Sequence, residues 1–167
     1  MSQAEPTAPG LRLDDYELLV RKGKNLDGAL SDVCTARNPD PQVQVSIIHF
    51  LIKHGASISE TDKNGVTPLH HAVRFRSPAA VKELIARGAD VNAVDKKTKS
   101  TPLHRAVTNT GAPNTANKST AAMEIAELLL ANGANPRIKN KMDKTPLDYV
   151  KNDAMKAVFA KHALRTK

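Results

Sequence analysis

Two histidines recur at the same place in a repeated motif, and their type and spacing raise the question of a chemical site. His70 and His104 each occupy the fourth position of a Thr-Pro-Leu-His segment, 34 residues apart. Imidazole can act as a general base or as a metal ligand near neutral pH. However, His71 directly follows His70 and would point elsewhere on a helix, so the pair lacks the i, i+4 spacing of a helical zinc site. We therefore predict no metal and no cofactor.

The single cysteine, Cys34, is the other candidate for chemistry. A cysteine nucleophile needs a positioned base, and no residue pattern marks one here. The sequence also lacks a Gly-rich phosphate loop, a Gly-x-Ser-x-Gly elbow and a paired-carboxylate motif. We therefore predict that the chain is not an enzyme and that Cys34 is a small buried thiol on a helix.

The expected compartment follows from the same cysteine and from the apolar pattern. One cysteine cannot form an internal disulfide, which favours a reducing environment. No apolar stretch approaches the roughly 18 residues of a membrane span. Residues 1–6 carry neither the basic start nor the apolar segment of a secretory signal. We predict a cytoplasmic protein without a membrane segment, with a nuclear location left open.

The histidines belong to a tandem repeat that must position them. Thr-Pro-Leu recurs at Thr67, Thr101 and Thr145, and apolar runs end in Gly-Ala at Gly55, Gly88 and Gly133. Threonine is a good helix N-cap, and proline in the first helical position loses no hydrogen bond. Glycine ends a helix because it adopts the left-handed conformation without a steric penalty. Each repeat is therefore predicted to be a pair of short helices.

The motif resembles one known repeat family. A period near 33 residues with Thr-Pro-Leu-His-x-Ala is typical of ankyrin repeats, and residues 62–93 are similar to one complete repeat without gaps. The resemblance implies an all-α ankyrin-repeat solenoid of about four helix-turn-helix units with β-hairpin-like fingers between them. It implies that His70 and His104 are structural, with their rings bonded within the turn region. It also implies a non-enzymatic module that binds another protein.

The repeat register divides the chain into five parts. The predicted parts are a disordered lead (1–10), a capping helix with a degenerate first repeat (11–61), a second repeat (62–94), a third repeat (95–139) with an insertion at 108–120, and a fourth repeat or C-terminal cap (140–167). Within the degenerate repeat, helices are expected at 26–36 and 43–54, with a break at 38–41. A final helix is expected at 153–162. The polar, small-residue insertion is predicted to be an exposed loop.

Charge is distributed unevenly along the chain, which carries a net charge of +8. Residues 1–60 sum to −2, residues 61–134 to +4 and residues 135–167 to +6. The turns between repeats hold lysine clusters at Lys96, Lys97, Lys99, Lys139, Lys141 and Lys144. These lysines are compatible with a solvated face, with an acidic protein partner or with a polyanion. Aromatic residues make up only 3% of the chain, so a base-stacking platform for nucleic acid is disfavoured.

By the resemblance, partner specificity lies on the fingers and on the exposed end of the first helix of each repeat. The matching positions are Lys63, Asn64, Val66, His71, Arg74 and Phe75 in the second repeat, Lys97, Thr98, Ser100, Arg105, Thr108 and Asn109 in the third, and Lys141, Met142, Lys144 and Tyr149 in the fourth. Phe75 is expected to be either a solvent-facing interface anchor beside arginines or a ring folded over a neighbouring repeat. Lys99 and Asp143 replace the finger glycine found at Gly65, so the second and third fingers are expected to differ in shape.

The sequence thus predicts a monomeric adaptor, inhibitor or regulator that binds an acidic protein through the concave groove and the basic fingers. The alternative is a structural or assembly component whose basic face binds a polyanion such as nucleic acid or an anionic surface.

Overall fold

The computed structural model of the chain describes residues 10–108 and 119–163. Over these residues the backbone forms helices and turns and no strand, which confirms the all-α prediction. The helices are α1 (Leu13–Arg21), α2 (Ala29–Cys34), α3 (Pro41–Lys53), α4 (Pro68–Arg74), α5 (Pro78–Ala86), α6 (Pro102–Val107), α7 (Ser119–Ala131), a 3-10 helix (Pro146–Tyr149) and α8 (Asp153–Ala163). The predicted disordered lead, apart from Gly10, and most of the predicted insertion lie outside the described residues. The boundaries of the five predicted parts stay a prediction.

The helix starts follow the capping chemistry expected from the sequence. The side chains of Thr67 and Thr101 each accept the backbone amide at the third helical position, and proline stands at the first position of α4 and α6. The same chemistry operates where a break was predicted. Asp40 accepts the amides of Gln42 at 2.9 Å and Val43 at 3.0 Å. Therefore α3 begins at Pro41, two residues earlier than expected, because Asp-Pro serves there as Thr-Pro does elsewhere.

Glycine ends the second helix of successive repeats, as predicted. Gly55, Gly88 and Gly133 have φ angles of 96°, 91° and 89°. The next amide in each case bonds back to a carbonyl five residues earlier, for example Ala89 to Leu84 at 3.0 Å. This left-handed closure satisfies carbonyls that the helix end leaves without partners. It also turns the chain toward the following finger.

Leucine and alanine side chains hold the helix pairs together in layers. First helices contact first helices (α2 with α4, and α4 with α6), and second helices contact second helices (α3 with α5, and α5 with α7). Leu69 and Leu103 are 1% and 0% exposed between these layers. Leu147 occupies the same motif position in the last repeat but is 49% exposed, because the described chain places no further helix pair over it.

The fourth repeat differs from the predicted helix pair. Its first helix is a single 3-10 turn, Pro146–Tyr149, and only α8 is a full helix. Cys34 lies fully buried on α2, which confirms the prediction of a small buried thiol on a helix, and burial raises the pKa of this thiol. None of the described helices has both the length and the apolarity that crossing a bilayer requires.

Arg76 is a buried cation that joins two repeats. It is 7% exposed and lies just after α4, and its guanidinium donates to the carbonyls of Arg105 at 3.1 Å, Ala106 at 3.0 Å and Thr108 at 2.8 Å. These carbonyls lie at the end of α6, where the helix leaves them without intrahelical partners. The interaction fixes the end of α6 relative to α4.

Candidate functional site

Three turns between repeats form the projecting edge of the molecule. We call them finger 1 (62–66), finger 2 (95–100) and finger 3 (140–144). Each is closed by a hydrogen bond between its first amide and its last carbonyl, at 3.1, 3.1 and 2.9 Å respectively. Neighbouring fingers are also bonded to each other, from the Lys96 amide to the Asn64 carbonyl and from the Lys141 amide to the Thr98 carbonyl, both at 2.8 Å. The fingers are therefore one connected edge.

The expected difference in shape holds for finger 2, which closes over six residues where finger 1 closes over five, but not for finger 3, which closes over five as finger 1 does. Lys99 and Asp143 have φ angles of 56° and 57° and so adopt the left-handed conformation that Gly65 adopts at 73°. A non-glycine residue there costs about 1–2 kcal/mol, which the hydrogen bonds of the turn offset. Glycine is needed only in finger 1, where an added Cβ would lie 2.7 Å from the Cγ of Lys96.

The first residue of each finger organises its turn, and the sequence analysis missed this role. The Asp62 carboxylate accepts the amides of Asn64 at 2.8 Å and Val66 at 3.0 Å. Asp95 accepts both the amide and the hydroxyl of Thr98, each at 2.6 Å. Asn140 plays the same part in finger 3. An Asp or Asn five or six residues before each Thr-Pro was the available signal.

His70 and His104 connect each repeat to the next finger, which confirms their structural role. The Thr67 amide lies 3.3 Å from Nδ1 of His70, so that nitrogen accepts and Nε2 carries the proton. Nε2 then donates to the Ser100 carbonyl in finger 2 at 3.0 Å. His104 repeats this arrangement with the Lys144 carbonyl in finger 3. The fingers are therefore positioned by these imidazole rings in their neutral form.

Stability should depend on pH because His70 must stay neutral in the fold. Burial, with the nearby charge of Arg105, lowers the pKa of His70 to about 4, against about 6.5 in the unfolded chain. Below pH 6.5 the unfolded state binds a proton that the folded state does not, so stability is lost between pH 6.5 and 4. We expect this histidine to contribute about 3 kcal/mol to that loss. Urea titrations at pH 7 and pH 4 should show a smaller loss for His70→Gln, and an equal loss in both proteins would contradict this role.

A cleft of about 200 Å³ lies between fingers 1 and 2 and the exposed faces of α4 and α6. Its lining comprises Asp62, Asn64, Val66, His71, Arg74, Asp95, Lys97, Thr98 and Arg105. Seven of the predicted groove residues thus come together, and the two aspartates join them. Val66 differs from expectation because it is 6% exposed and forms the floor rather than a contact surface.

Charges of both signs meet in this cleft. Arg105 donates through Nη2 to the Asp95 carboxylate at 3.2 Å. Burial raises the pKa of Asp95, but the hydrogen bonds from Thr98 and Arg105 outweigh it and hold the pKa below the usual range. The pKa of Asp62 is also below its usual range, because the hydrogen bonds from the Val66 and Asn64 amides outweigh the effect of burial. Both aspartates are therefore ionised at neutral pH.

His71 lies beside these charged groups. Burial lowers its pKa, with Arg105 and Arg74 adding to the effect, while Asp62 and Asp32 raise it. Its Nδ1 is buried without a hydrogen-bond partner among the described residues. His71 is therefore a neutral side chain at pH 7 whose charge state depends on the anions around it.

The other predicted site residues lie apart from the cleft. Phe75 is partly buried and lines a separate cavity with Pro39 and Pro41, as the folded-back alternative would place it. Tyr149 accepts a hydrogen bond from Asn140 at 2.9 Å and packs edge-on near His104. The remaining residues are the exposed Lys63, Lys141, Lys144 and Met142, the half-buried Ser100 and Thr108, and Asn109, which lies outside the described residues.

Within the described part of the chain, no group of three or more His, Cys, Asp or Glu side chains could hold a metal ion. The family model of ankyrin repeats, in three copies, matches residues 36–140. The chain belongs to the ankyrin-repeat family. Ankyrin repeats are protein–protein interaction modules, and the family is generally a non-enzymatic scaffold. The layered helix pairs and hydrogen-bonded fingers described above agree with this assignment.

Similar proteins carry ankyrin repeats within longer chains. Rabankyrin-5 of Mus musculus is 35% identical over 136 residues, which cover 77% of this chain and 12% of that protein. An ankyrin repeat protein of Fowlpox virus (strain NVSL) is 33% identical over 141 residues, covering 83% of this chain and 33% of the viral protein. The Neurogenic locus Notch protein of Drosophila melanogaster is 40% identical over 98 residues, or 58% and 3% of the two chains. The ankyrin-repeat chain thus spans a third or less of the length of these relatives.

Proposed function

We propose that this ankyrin-repeat chain binds an acidic stretch of another protein against its fingers and cleft, and so acts as an adaptor, inhibitor or regulator. The observation that carries the proposal is a row of exposed cations on one connected edge. Lys96, Lys97 and Lys99 are exposed on finger 2, and Lys141 and Lys144 on finger 3. None of them forms an ion pair with a carboxylate within the described ranges, whereas Lys139 pairs with Asp143 at 3.0 Å.

The fingers give these cations a fixed spacing. Because finger 1 bonds to finger 2 and finger 2 to finger 3, the finger backbones cannot move independently. Unpaired surface cations held in a row raise the local positive potential and steer an acidic partner toward the edge. The net charge of −2 on residues 1–60 makes the molecule dipolar, which favours one orientation of the partner.

The groove chemistry favours a protein over a polyanion. Asp62 and Asp95 are ionised in the cleft beside Lys97, and they would repel a continuous phosphate backbone laid across it. Met142, which is 73% exposed at the tip of finger 3, adds apolar surface that a polypeptide can cover. We further propose that the chain acts as a monomer in the cytoplasm, a location that its single unpaired thiol favours.

A displayed library of random dodecapeptides tests this function. Selection is carried out on the unaltered protein, on a finger variant with Lys97, Lys99, Lys141 and Lys144 all changed to Glu, and on a control with Lys22, Lys24, Lys53 and Lys82 all changed to Glu. The control carries the same charge change on exposed lysines away from the fingers. We expect the unaltered protein and the control, but not the finger variant, to select peptides that are rich in Asp and Glu. The proposal would be contradicted if none of the three proteins selected acidic peptides, or if all three selected them equally.

Binding of a short DNA duplex tests the polyanion alternative. Polyanion binding falls steeply and linearly with the logarithm of salt concentration because counterions are released. We expect no tight DNA binding at physiological salt. A steep salt slope that the finger variant loses and the control keeps would favour the polyanion function instead.

A further inference from the structure

The cleft contains more cations than anions, and two of its cations have no ion-pair partner among the described residues. Arg74 is exposed at the end of α4 and makes no hydrogen bond or ion pair with any described residue. Arg105 is half-buried on α6, and among the described residues its Nη2 forms an ion pair with Asp95 alone. Lys97 extends over the same cleft from finger 2 and is exposed and unpaired among the described residues. Three cationic side chains therefore surround one small space.

The two aspartates of the cleft offset only part of this positive charge, because three cations face two ionised carboxylates and leave an excess of one positive charge. The side-chain oxygen Oδ1 of Asp62 is engaged by two amides of finger 1, and both oxygens of Asp95 are engaged by Thr98 and Arg105. These hydrogen bonds maintain the finger shape and hold both aspartates in place. Arg74 and Lys97 keep their donors available for an anion that comes from outside.

We propose that the cleft is a recognition site for a single carboxylate side chain of the partner, which enters between Arg74 and Arg105 beneath Lys97. This inference rests on the proposed function and deepens it. A volume of about 200 Å³ suits one Asp or Glu side chain with its waters, since a water occupies about 30 Å³. A planar guanidinium binds a carboxylate through two parallel hydrogen bonds, which gives geometric specificity as well as affinity. The finger lysines attract acidic segments in general, whereas the cleft selects one position in the segment.

His71 supplies a second readout for this site. The groups that face it are Asp62 from finger 1, Arg74 from its own helix, Arg105 from α6 and Asp32 from α2. A carboxylate that enters the cleft adds a negative charge beside the imidazole and favours its protonated form. Binding is then linked to proton uptake, and because the pKa of His71 in the free protein lies below its usual range, the affinity should rise as the pH falls below about 6.5. The change His71→Gln should flatten this dependence.

The experiment uses an acidic dodecapeptide recovered from the library. Each Asp or Glu in it is changed singly to Asn or Gln, and affinities are measured by titration calorimetry. On the unaltered protein we expect one position at which this change weakens binding about tenfold or more, while the other positions change it little. With Arg74→Met, the change at that position should weaken binding no more than the changes at the other positions do. With Arg74→Lys, part of the larger effect at that position should remain. Lys63→Met removes an exposed cation of finger 1 outside the cleft. In this variant the same single position should still contribute most to the affinity.

Each outcome decides between the two proposals. If all carboxylates contribute equally, or if Arg74→Met behaves as Lys63→Met does, the cleft site is wrong while the acidic-partner function stands. If the selection yields no acidic peptide at all, the function and the cleft site both fail. Arg74 is exposed and unbonded among the described residues, so Arg74→Met should fold normally, and thermal melting verifies this in advance.

Discussion

Leu103→Ala should lower the free energy of unfolding by about 2–5 kcal/mol, as cavity-forming substitutions in packed cores do. Leu103 is 0% exposed on α6, between the layers formed by α4 and the fourth repeat. The methyl groups removed cannot be replaced by water or by rearranged neighbours, because short helices fixed by caps and finger contacts have little room to collapse. Urea unfolding followed by circular dichroism measures the effect, and Leu69→Ala on α4 should behave alike.

The chain provides a matched control for that measurement. Leu147 holds the same place in the Thr-Pro-Leu motif but is 49% exposed, so Leu147→Ala should cost less than about 1 kcal/mol. The comparison separates the effect of burial from that of residue type and motif position, because both of these are the same at the two sites. Equal losses for Leu103→Ala and Leu147→Ala would show that stacking of repeats is not what stabilises these leucines.

Reversing the finger lysines should have the largest effect on binding kinetics. With Lys97, Lys99, Lys141 and Lys144 changed to Glu, we expect association of an acidic peptide to slow by about tenfold or more at low salt. The salt dependence of the association rate should also flatten, since steering by these charges is what salt screens. Dissociation should change less. Stopped-flow fluorescence on the peptide measures both rates.

The equally charged control away from the fingers gives the comparison for this result. The control alters the net charge by the same amount, through changes to Glu at Lys22, Lys24, Lys53 and Lys82. A difference in association rate between the two variants therefore depends on the position of the charges and not on their total. If both variants slow association equally, the whole-molecule charge steers the partner and the finger row has no special role.

Much of the fold was predictable because its signals are local. Thr67, Thr101 and the three helix-ending glycines act through their own backbone neighbours, so the residue type alone predicts the structure. Asp40 obeys the same capping rule, but the two prolines beside it suggested a break. The 3-10 turn at Pro146–Tyr149 was not predictable in this way, since its motif begins with the same Thr-Pro-Leu as its full-helix counterparts.

The site was predictable as a surface but not as a set of contacts. The resemblance placed His71, Arg74 and Arg105 on the groove, and they line one cleft. It could not show that Asp62 and Asp95 share that cleft, because their role depends on the closure of two separate turns. Phe75 was assigned to the same surface, yet the chain after α4 places it near Pro39 and Pro41. Such placements depend on contacts between repeats, which no single repeat encodes.

The fourth motif residue carries information that the sequence analysis did not use. In His70 and His104 the imidazole is long enough to bond its own Thr and the next finger at once. In the last repeat the Asp148 side chain accepts hydrogen bonds from the amide and hydroxyl of Thr145 at 2.7 and 2.8 Å and bonds no other described residue. Histidine at this position therefore indicates a repeat that supports a following finger.

The central claim is that an acidic polypeptide binds across the fingers and the cleft, and chemical-shift mapping tests it most directly. An acidic peptide from the library is titrated into the ¹⁵N-labelled chain, and the amide signals are followed. We expect the largest shifts in finger 2, in finger 3 and around His71, Arg74 and Arg105, with α3, α5 and α7 unaffected. Shifts concentrated on those second helices, or spread evenly over the surface, would contradict the account.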